Sequence, residues 1–262
     1  MREDSIFISI LQTHIRIVGN RWLYKKLAAP VRRIISNLSV VSYEINPRKI
    51  TEFESVELNL RHLKEAVLSI LTPILKAPEA IPTEIVYMCK MLFTLTNKRF
   101  PGKGYRALAS YLFLRFICPA IGAPETIGVV KFGHLKPIER RSLVLVAKII
   151  QGVANEMPEQ NEDYMQRLKE FIEENIQCLR EFFDQVLVVR HKRLLKTLRA
   201  SPVLVRALCF VHHFRSLSHA PCRRSLFSKI CLVMPCHASL LTVMRSQTWR
   251  TSSRRHQSAV TL

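Results

Sequence analysis

Glycine is scarce in this sequence, with seven residues among 262. A low glycine content and long mixed polar and apolar stretches favour helices over a β-sandwich or a doubly wound sheet. The sequence contains no glycine-rich phosphate loop and no internal repeat. No apolar run reaches the roughly 18 residues that a membrane-spanning helix needs, and the N-terminus lacks the apolar core of a signal peptide. We therefore expect a cytoplasmic protein.

Cysteine is present without the spacing of a metal site. The seven cysteines form no CxxC pair and no regular Cys/His quartet, so a zinc site in the C-terminal region, where histidines lie nearby, is only a minor alternative. Cys89, Cys118 and Cys178 are scattered singly, as expected of free thiols that act as small buried hydrophobic groups. We expect no metal site.

Acidic residues are absent from residues 191–262, which hold 13 of the 40 Lys and Arg residues. The first 190 residues carry the other 27 bases and all 20 acids. The basic tail can be read as disordered, as a patch for membrane or nucleic acid, or as a stretch never selected to fold with the body, such as an alternative exon or a shifted frame. We favour the third reading, which predicts a domain at 1–190 and an unrelated tail at 191–262.

Apolar residues recur at helical spacing through the body of the chain. Gly19 is a candidate stop signal for the first helix, and Asn46-Pro47 marks a connector. The predicted fold class is all-α. The expected helices cover residues 4–18, 22–38, 56–75, from 82 to the PGKG turn, 105–118, from 137 or 138 to 155, and 162–189.

One arginine interrupts an apolar run in the stretch YLFLRFICPAIGAP, residues 111–124. Arg115 is flanked by apolar residues on both sides, and a buried arginine is costly unless it is paired and hydrogen-bonded. Its head group could instead reach solvent at an edge. Because the guanidinium carries five donors in a rigid fork, we expect Arg115 to tie down a neighbouring loop, in a helix that ends at Pro119.

The segment FLRFICPAIGAPE, residues 113–125, resembles the signature of the Ras GTPase-activating proteins, the neurofibromin-like RasGAP family. The segment IERRSLVLVAKIIQGVAN, residues 138–155, resembles the next family helix, whose GTPase-facing residues map onto Lys148, Gln151 and Asn155. Further resemblances in YEINPRKI, NLRHLKEAVLSI, KRFP and FIEENIQCLREFFDQV extend the match to residues 2–188. The resemblance implies a helical RasGAP domain that lacks its first helices.

The start of the chain, Arg2-Glu3-Asp4-Ser5, resembles the catalytic loop of that family. The resemblance implies that Arg2 is the arginine finger, that Arg115 hydrogen-bonds the backbone of the finger loop, and that Leu114 packs at the floor of the groove. The sequence departs from the family at Asp4, where Asn is usual, and at Met1, where an aromatic residue is usual. Without the resemblance, the same stretch is a helix N-cap formed by Asp4 or Ser5.

The resemblance implies an activator of GTP hydrolysis that is not itself an enzyme. Its partner would be a GTP-bound Ras-type GTPase, whose acidic switch region Lys148 would meet. GTP and Mg²⁺ would belong to that partner, so no cofactor is expected. One alternative is a binding-only module that engages the GTPase without stimulating it. Another is a basic helical protein that acts on membrane or nucleic acid through its tail; membrane contact through the tail is conceivable, whereas no specific nucleic-acid motif is present.

Overall fold

The computed structural model describes residues 6–159 and 162–189, which fold into helices without any strand. The prediction of an all-α fold is therefore confirmed for this part of the chain. The α-helices α1 to α7 span Ile6–Asn37, Val56–Leu75, Thr83–Arg99, Gly104–Ala109, Cys118–Gly122, Pro137–Ala154 and Lys169–Val188. A π-helix spans Ser110–Ile117, and 3₁₀ turns span Pro78–Ala80, Pro124–Ile127 and Asp163–Leu168.

The bounds of helices α2 and α6 agree closely with the sequence prediction. In both helices the capping contacts lie where the apolar periodicity begins. Helix α2 starts after Ser55, whose hydroxyl accepts a hydrogen bond from the Leu58 amide at 3.3 Å, as an N-cap should. Helix α6 starts at Pro137, where a missing N–H costs nothing, and the Glu139 carboxylate accepts from the Lys136 amide at 2.7 Å. Each helix buries one apolar face and leaves the other face polar.

Helix α1 is one continuous element of 32 residues, so the prediction that Gly19 ends a first helix is wrong. Gly19 is buried, and a Cβ built on it would lie 2.6 Å from Cζ of Phe116. The Phe116 ring also stacks on Trp22, with 6.4 Å between the ring centroids. The glycine therefore allows close packing between α1 and the π-helix. Sequence rules that consider only nearby residues predict a helix end at such a glycine.

The helix that carries Arg115 also differs from its prediction. Helical backbone runs without a break from Gly104 to Gly122, because α4 passes into the π-helix and the π-helix into α5. Pro119 lies within this continuous run, as the second residue of α5 directly after the π-helix. The prediction that the helix ends at Pro119 is therefore wrong.

The core lies where the π-helix packs against α6 and α1. Its aromatic cluster joins one ring of the π-helix to two rings of α7. Phe113 is fully buried and meets the rings of Phe182 and Phe183 edge-on, at centroid distances of 6.4 and 6.0 Å. Aromatic pairs favour this geometry. Helix α7 begins at Lys169 after a 3₁₀ turn rather than at 162, and its apolar face completes the core.

The free cysteines of the described residues do not all behave as expected. Cys89 and Cys118 are buried, and burial raises the pKa of the Cys89 thiol to about 12, so both are unreactive hydrophobic groups. Cys178 is exposed, so the prediction of burial is wrong there. The described residues contain no group of three or more His, Cys, Asp or Glu side chains placed to hold a metal ion. Among the same residues, no helix is long and apolar enough to cross a membrane.

Candidate functional site

Three of the predicted site residues form a polar row on α6. Lys148, Gln151 and Asn155 are spaced at i, i+3 and i+7, which places them on one side of a helix. Lys148 and Asn155 are half-buried and Gln151 is exposed. Asn155 caps the C-terminus of α6, where its amide donates to the Gln151 carbonyl oxygen at 2.9 Å. The opposite side of α6 is apolar and fully buried, so packing orients the polar row outwards.

Lys148 has a partner within the chain. Its ammonium forms an ion pair with Glu162, which lies at the start of the 3₁₀ turn before α7. The two side chains are 33% and 41% exposed, so water screens this pair and its contribution to stability is small. The pair instead holds the Lys148 side chain in one direction on the surface. Lys148 can meet an outside carboxylate only by sharing or leaving Glu162.

Arg115 lies in the π-helix and is partly buried, so the expectation of a fully buried side chain is wrong. In a π-helix the backbone hydrogen bond joins residue i+5 to residue i, and this wider turn brings Arg115 close to Ser110. Nη1 of Arg115 donates to the Ser110 carbonyl oxygen at 3.4 Å and also to the Ser110 hydroxyl. Single π-turns inside α-helices occur frequently at functional sites, and here the turn sets the direction of the arginine.

Both hydrogen bonds of Arg115 use Nη1. Its other nitrogens, Nε and Nη2, donate to no acceptor among the described residues. The loop that Arg115 was predicted to hold, and Arg2 within it, lie outside the described residues. Leu114, next to Arg115, is partly buried and packs against the hydrophobic core.

The π-helix and α1 run in the same direction. His14 of α1 meets Tyr111, with 3.3 Å between Nδ1 and the phenol oxygen, and further along Gly19 and Trp22 meet Phe116. The Arg115 side chain turns back to Ser110, which is towards the N-terminal end of α1.

Arg140, on the first turns of α6, holds the segment that follows α5. Its Nη1 donates to the Gly122 carbonyl oxygen at 3.1 Å and its Nη2 donates to Oε1 of Glu125 at 2.6 Å. Burial alone would raise the pKa of Glu125, but the hydrogen bond and the charge of Arg140 lower it on balance. The end of α5 is thereby tied to the start of α6.

The next residue, Arg141, holds the connector between α1 and α2. Its Nε donates to Oε2 of Glu44 at 2.9 Å and its Nη2 donates to Oε1 at 3.3 Å, in the two-pronged geometry that arginine favours with a carboxylate. Glu44 also accepts from the amide of Asn46 at 3.0 Å, and its carbonyl oxygen accepts from Nδ2 of Asn59 at 2.8 Å. Burial would raise the pKa of the Glu44 carboxyl group, but the hydrogen bonds from Arg141 and from the Asn46 amide, together with the charge of Arg141, lower it on balance.

The two arginine clamps were not predicted, although the adjacent arginines are visible in the sequence. Arg141 and Glu44 lie 97 residues apart, and no local pattern connects residues at that distance. The position of the arginines opposite the buried side of α6 could have suggested partners on neighbouring loops. Together the clamps tie the first turns of α6 to the segment after α5 and to the connector between α1 and α2.

Residues 52–155 match a family model described as GTPase-activator protein for Ras-like GTPase. This match includes Leu114, Arg115 and the three residues of the polar row, whereas Arg2 lies before it. The comparisons therefore support the resemblance found from the motifs, as a similarity of residues 52–155 to the RasGAP family model, and the neurofibromin-like subfamily stays a prediction. The division of the chain at residue 190 also stays a prediction.

Several curated proteins are similar to this chain over most of its length. The probable Ras GTPase-activating-like protein ngap of Dictyostelium discoideum is 28% identical over 193 residues, which cover 72% of this chain and 22% of that protein. Ras GTPase-activating protein 1 of Homo sapiens is 26% identical over 189 residues, 71% of this chain and 18% of the relative. RAS protein activator like-3 of Homo sapiens is 29% identical over 190 residues, 72% and 18% respectively. The chain thus matches about a fifth of the length of these relatives.

Proposed function

We propose that this chain accelerates GTP hydrolysis by a Ras-type small GTPase, because residues 52–155 match the RasGAP family model and the relatives are similar over most of the chain. The observation that carries the proposal is that the family match spans the π-helix and α6, where the predicted binding residues lie. The relatives bear the names of GTPase activators, which favours activation over the binding-only alternative.

The proposed mechanism supplies positive charge to a partner that lacks it. In a GTPase of this type, charge that develops on the phosphates in the transition state is incompletely stabilised, and an arginine provided in trans neutralises it. The established acceleration of Ras by its activators is about 10⁵-fold. We assign this role to Arg2. Its guanidinium can contact two oxygens at once, whereas a lysine offers a single point charge. GTP and Mg²⁺ belong to the GTPase, and the chain supplies no cofactor.

Arg115 would position the finger loop rather than touch the nucleotide. A catalytic group displaced by about 1 Å can lose around 10²-fold in rate, so the loop has to be held before the partner arrives. Ser110 anchors one arm of Arg115, and the donors on Nε and Nη2 are left to bind backbone carbonyls of the loop. That Nε and Nη2 of Arg115 have no acceptor among the described residues supports this role.

Leu114 and the polar row of α6 would form the docking surface for the GTP-bound partner. Lys148 would steer an acidic switch region towards the groove, with Glu162 as the carboxylate that it must share or release. Gln151 and Asn155 would add hydrogen bonds along the same row. The clamps made by Arg140 and Arg141 would hold the helix that carries this row against the segment after α5 and against the connector between α1 and α2.

Single-turnover phosphate release tests the proposal. A Ras-type GTPase loaded with GTP is mixed with rising concentrations of the chain, and the rate should rise and saturate. Lys148→Ala should raise the half-saturating concentration more than Lys169→Ala, a control that removes another lysine paired to a carboxylate. If the chain captures the GTP-bound form through Lys148 but leaves the hydrolysis rate unchanged, the protein is a binding-only module and the proposal of activation fails.

A further inference from the structure

Helix α1 differs in charge from the rest of the described chain. Its 32 residues include six Lys and Arg and no Asp or Glu. Five of the six bases are exposed: Arg16, Arg21, Lys25, Arg32 and Arg33. Within the residues that the structure describes, none of the ion pairs involves α1. The paired arginines and lysines lie instead on α6, on α7 and on the 3₁₀ turn before α7, so the charge of α1 is not neutralised within this part of the molecule.

Three of these bases form one stripe. Arg21, Lys25 and Arg32 are spaced at i, i+4 and i+11, which lie within about 40° of one another around a helix and extend for about 16 Å along it. Ile17 lies on the same side and is 66% exposed. Arg32 connects the stripe to the segment after the Pro124–Ile127 turn, because its Nε donates to the Val129 carbonyl oxygen at 3.4 Å.

The loop that follows Val129 adds an apolar tip to the stripe. Lys131 and Phe132 are exposed, and Phe132 keeps 74% of its surface in solvent. Glu125, the acidic residue just before this loop, is already taken up by Arg140. We call Arg21, Lys25, Arg32, Lys131 and Phe132 the basic face.

We propose that the basic face is a docking surface for an anionic lipid bilayer. A row of Lys and Arg side chains without carboxylate partners creates a positive potential that attracts an anionic surface, and each Lys or Arg close to acidic lipids adds measurably to the affinity. The exposed Phe132 and Ile17 fit the boundary between headgroups and acyl chains, where aromatic and aliphatic side chains are buried next to bases.

The alternatives fit less well. Protein interfaces are depleted in lysine at their centres, whereas lysine is part of the stripe and of the loop. The surface is the outer side of one helix rather than a groove, and it shows no row of aromatic residues on which bases of a nucleic acid would stack. The basic segment 191–262 carries the same sign of charge and would be repelled by this face. The inference does not depend on the proposed GTPase activation.

Vesicle cosedimentation of the full chain tests the inference. The triple variant Arg21→Glu, Lys25→Glu, Arg32→Glu is compared with wild type on vesicles of phosphatidylcholine with and without phosphatidylserine. A matched control, Arg48→Glu, Arg61→Glu, Lys98→Glu, reverses three exposed bases outside the face, so both variants have the same net charge and the same tail. Melting curves verify that each variant is folded.

The basic face predicts that the triple variant loses at least about tenfold in partition onto the anionic vesicles, since each base contributes roughly fivefold. The control should lose much less, and Phe132→Ser should weaken binding without any change of charge. Equal losses in the triple variant and the control would show that only net charge matters and would overturn the inference. The inference would also be overturned, in favour of a nucleic-acid surface, if the triple variant lost binding to a single-stranded RNA homopolymer but kept its binding to vesicles. Stimulation of a soluble GTPase should be the same in wild type and in all of these variants. If none of them stimulates the GTPase, that result contradicts the proposed function and leaves the inference on lipid binding unaffected.

Discussion

Arg115 donates hydrogen bonds to the carbonyl oxygen and the hydroxyl of Ser110, five residues earlier in the same π-helix. An α-helix would not place residues i and i+5 in line, so the π-turn creates this contact. If Arg115 supports the finger loop, Ser110 sets the direction of that support.

Removal of the serine hydroxyl should therefore lower the rate of stimulated hydrolysis more than it lowers binding. We expect Ser110→Ala to reduce the maximal rate by about tenfold and Arg115→Ala by up to about a hundredfold, the cost of a misplaced catalytic group. Single-turnover titration separates the maximal rate from the half-saturating concentration. Ser69→Ala is the control, since Ser69 bonds within its own helix, to Ala66. A change confined to the half-saturating concentration would contradict the positioning role.

Gly19 should not tolerate a methyl group. The Cβ of Gly19→Ala would lie 2.6 Å from the Phe116 ring, and overpacking of this kind costs about 1–3 kcal/mol. Urea denaturation should show a lower midpoint with an unchanged slope. Gly122→Ala is the matched control, because nothing lies within 4 Å of its Cβ position. Equal stability of the two variants would mean that α1 and the π-helix are not in close contact at Gly19.

The bond between Arg141 and Glu44 should stabilise the fold measurably. Arg141→Ala leaves a carboxylate that is only 14% exposed without its charged partner, which should cost about 1–3 kcal/mol. The exposed pair of Arg167 and Glu57 serves as the control, and Arg167→Ala should have a much smaller effect. A double-mutant cycle with Glu44→Gln isolates the coupling; a coupling energy close to zero would refute the clamp.

Acid should destabilise the fold in two steps. Burial lowers the pKa of His14, an effect larger than the opposing charge of Glu84. The unfolded chain then binds a proton below about pH 6.5 that the folded state resists, so stability falls with pH there, by at most about 1.4 kcal/mol per pH unit. His14→Phe should flatten the stability profile below about pH 6.5. An unchanged profile in His14→Phe would show that His14 is not the group responsible.

The second step belongs to carboxylates. The pKa values of Glu44 and Glu125 are lowered on balance by their arginines, so the stability that they add is present above about pH 4.5 and is lost as pH falls through their folded-state pKa values. Arg141→Ala should remove part of this second loss and leave the first one intact. Denaturation curves collected at successive pH values resolve the two steps.

The sequence was most informative where structure depends on neighbours along the chain. Helices α2 and α6 were predicted from the period of their apolar residues, whereas the three residues of the polar row were taken from the resemblance to the family. Gly19 was misread because its role depends on Phe116, nearly a hundred residues later. Pro119 was misread because proline ends a helix in one context and starts a helical turn in another. The clamps of Arg140 and Arg141 depend on loops brought close only by the fold.

The central claim is that Arg2 acts as the arginine finger. The most direct test is single-turnover GTP hydrolysis by a Ras-type GTPase with wild type, Arg2→Ala, Arg2→Lys and the control Arg16→Ala, an exposed arginine on α1. We expect Arg2→Ala to lose about 10³-fold or more of the stimulated rate and Arg2→Lys to recover little of it. Both variants should still bind the GTP-bound GTPase as wild type does. Arg16→Ala should stimulate hydrolysis at the wild-type rate. Equal rates for wild type and Arg2→Ala would contradict it.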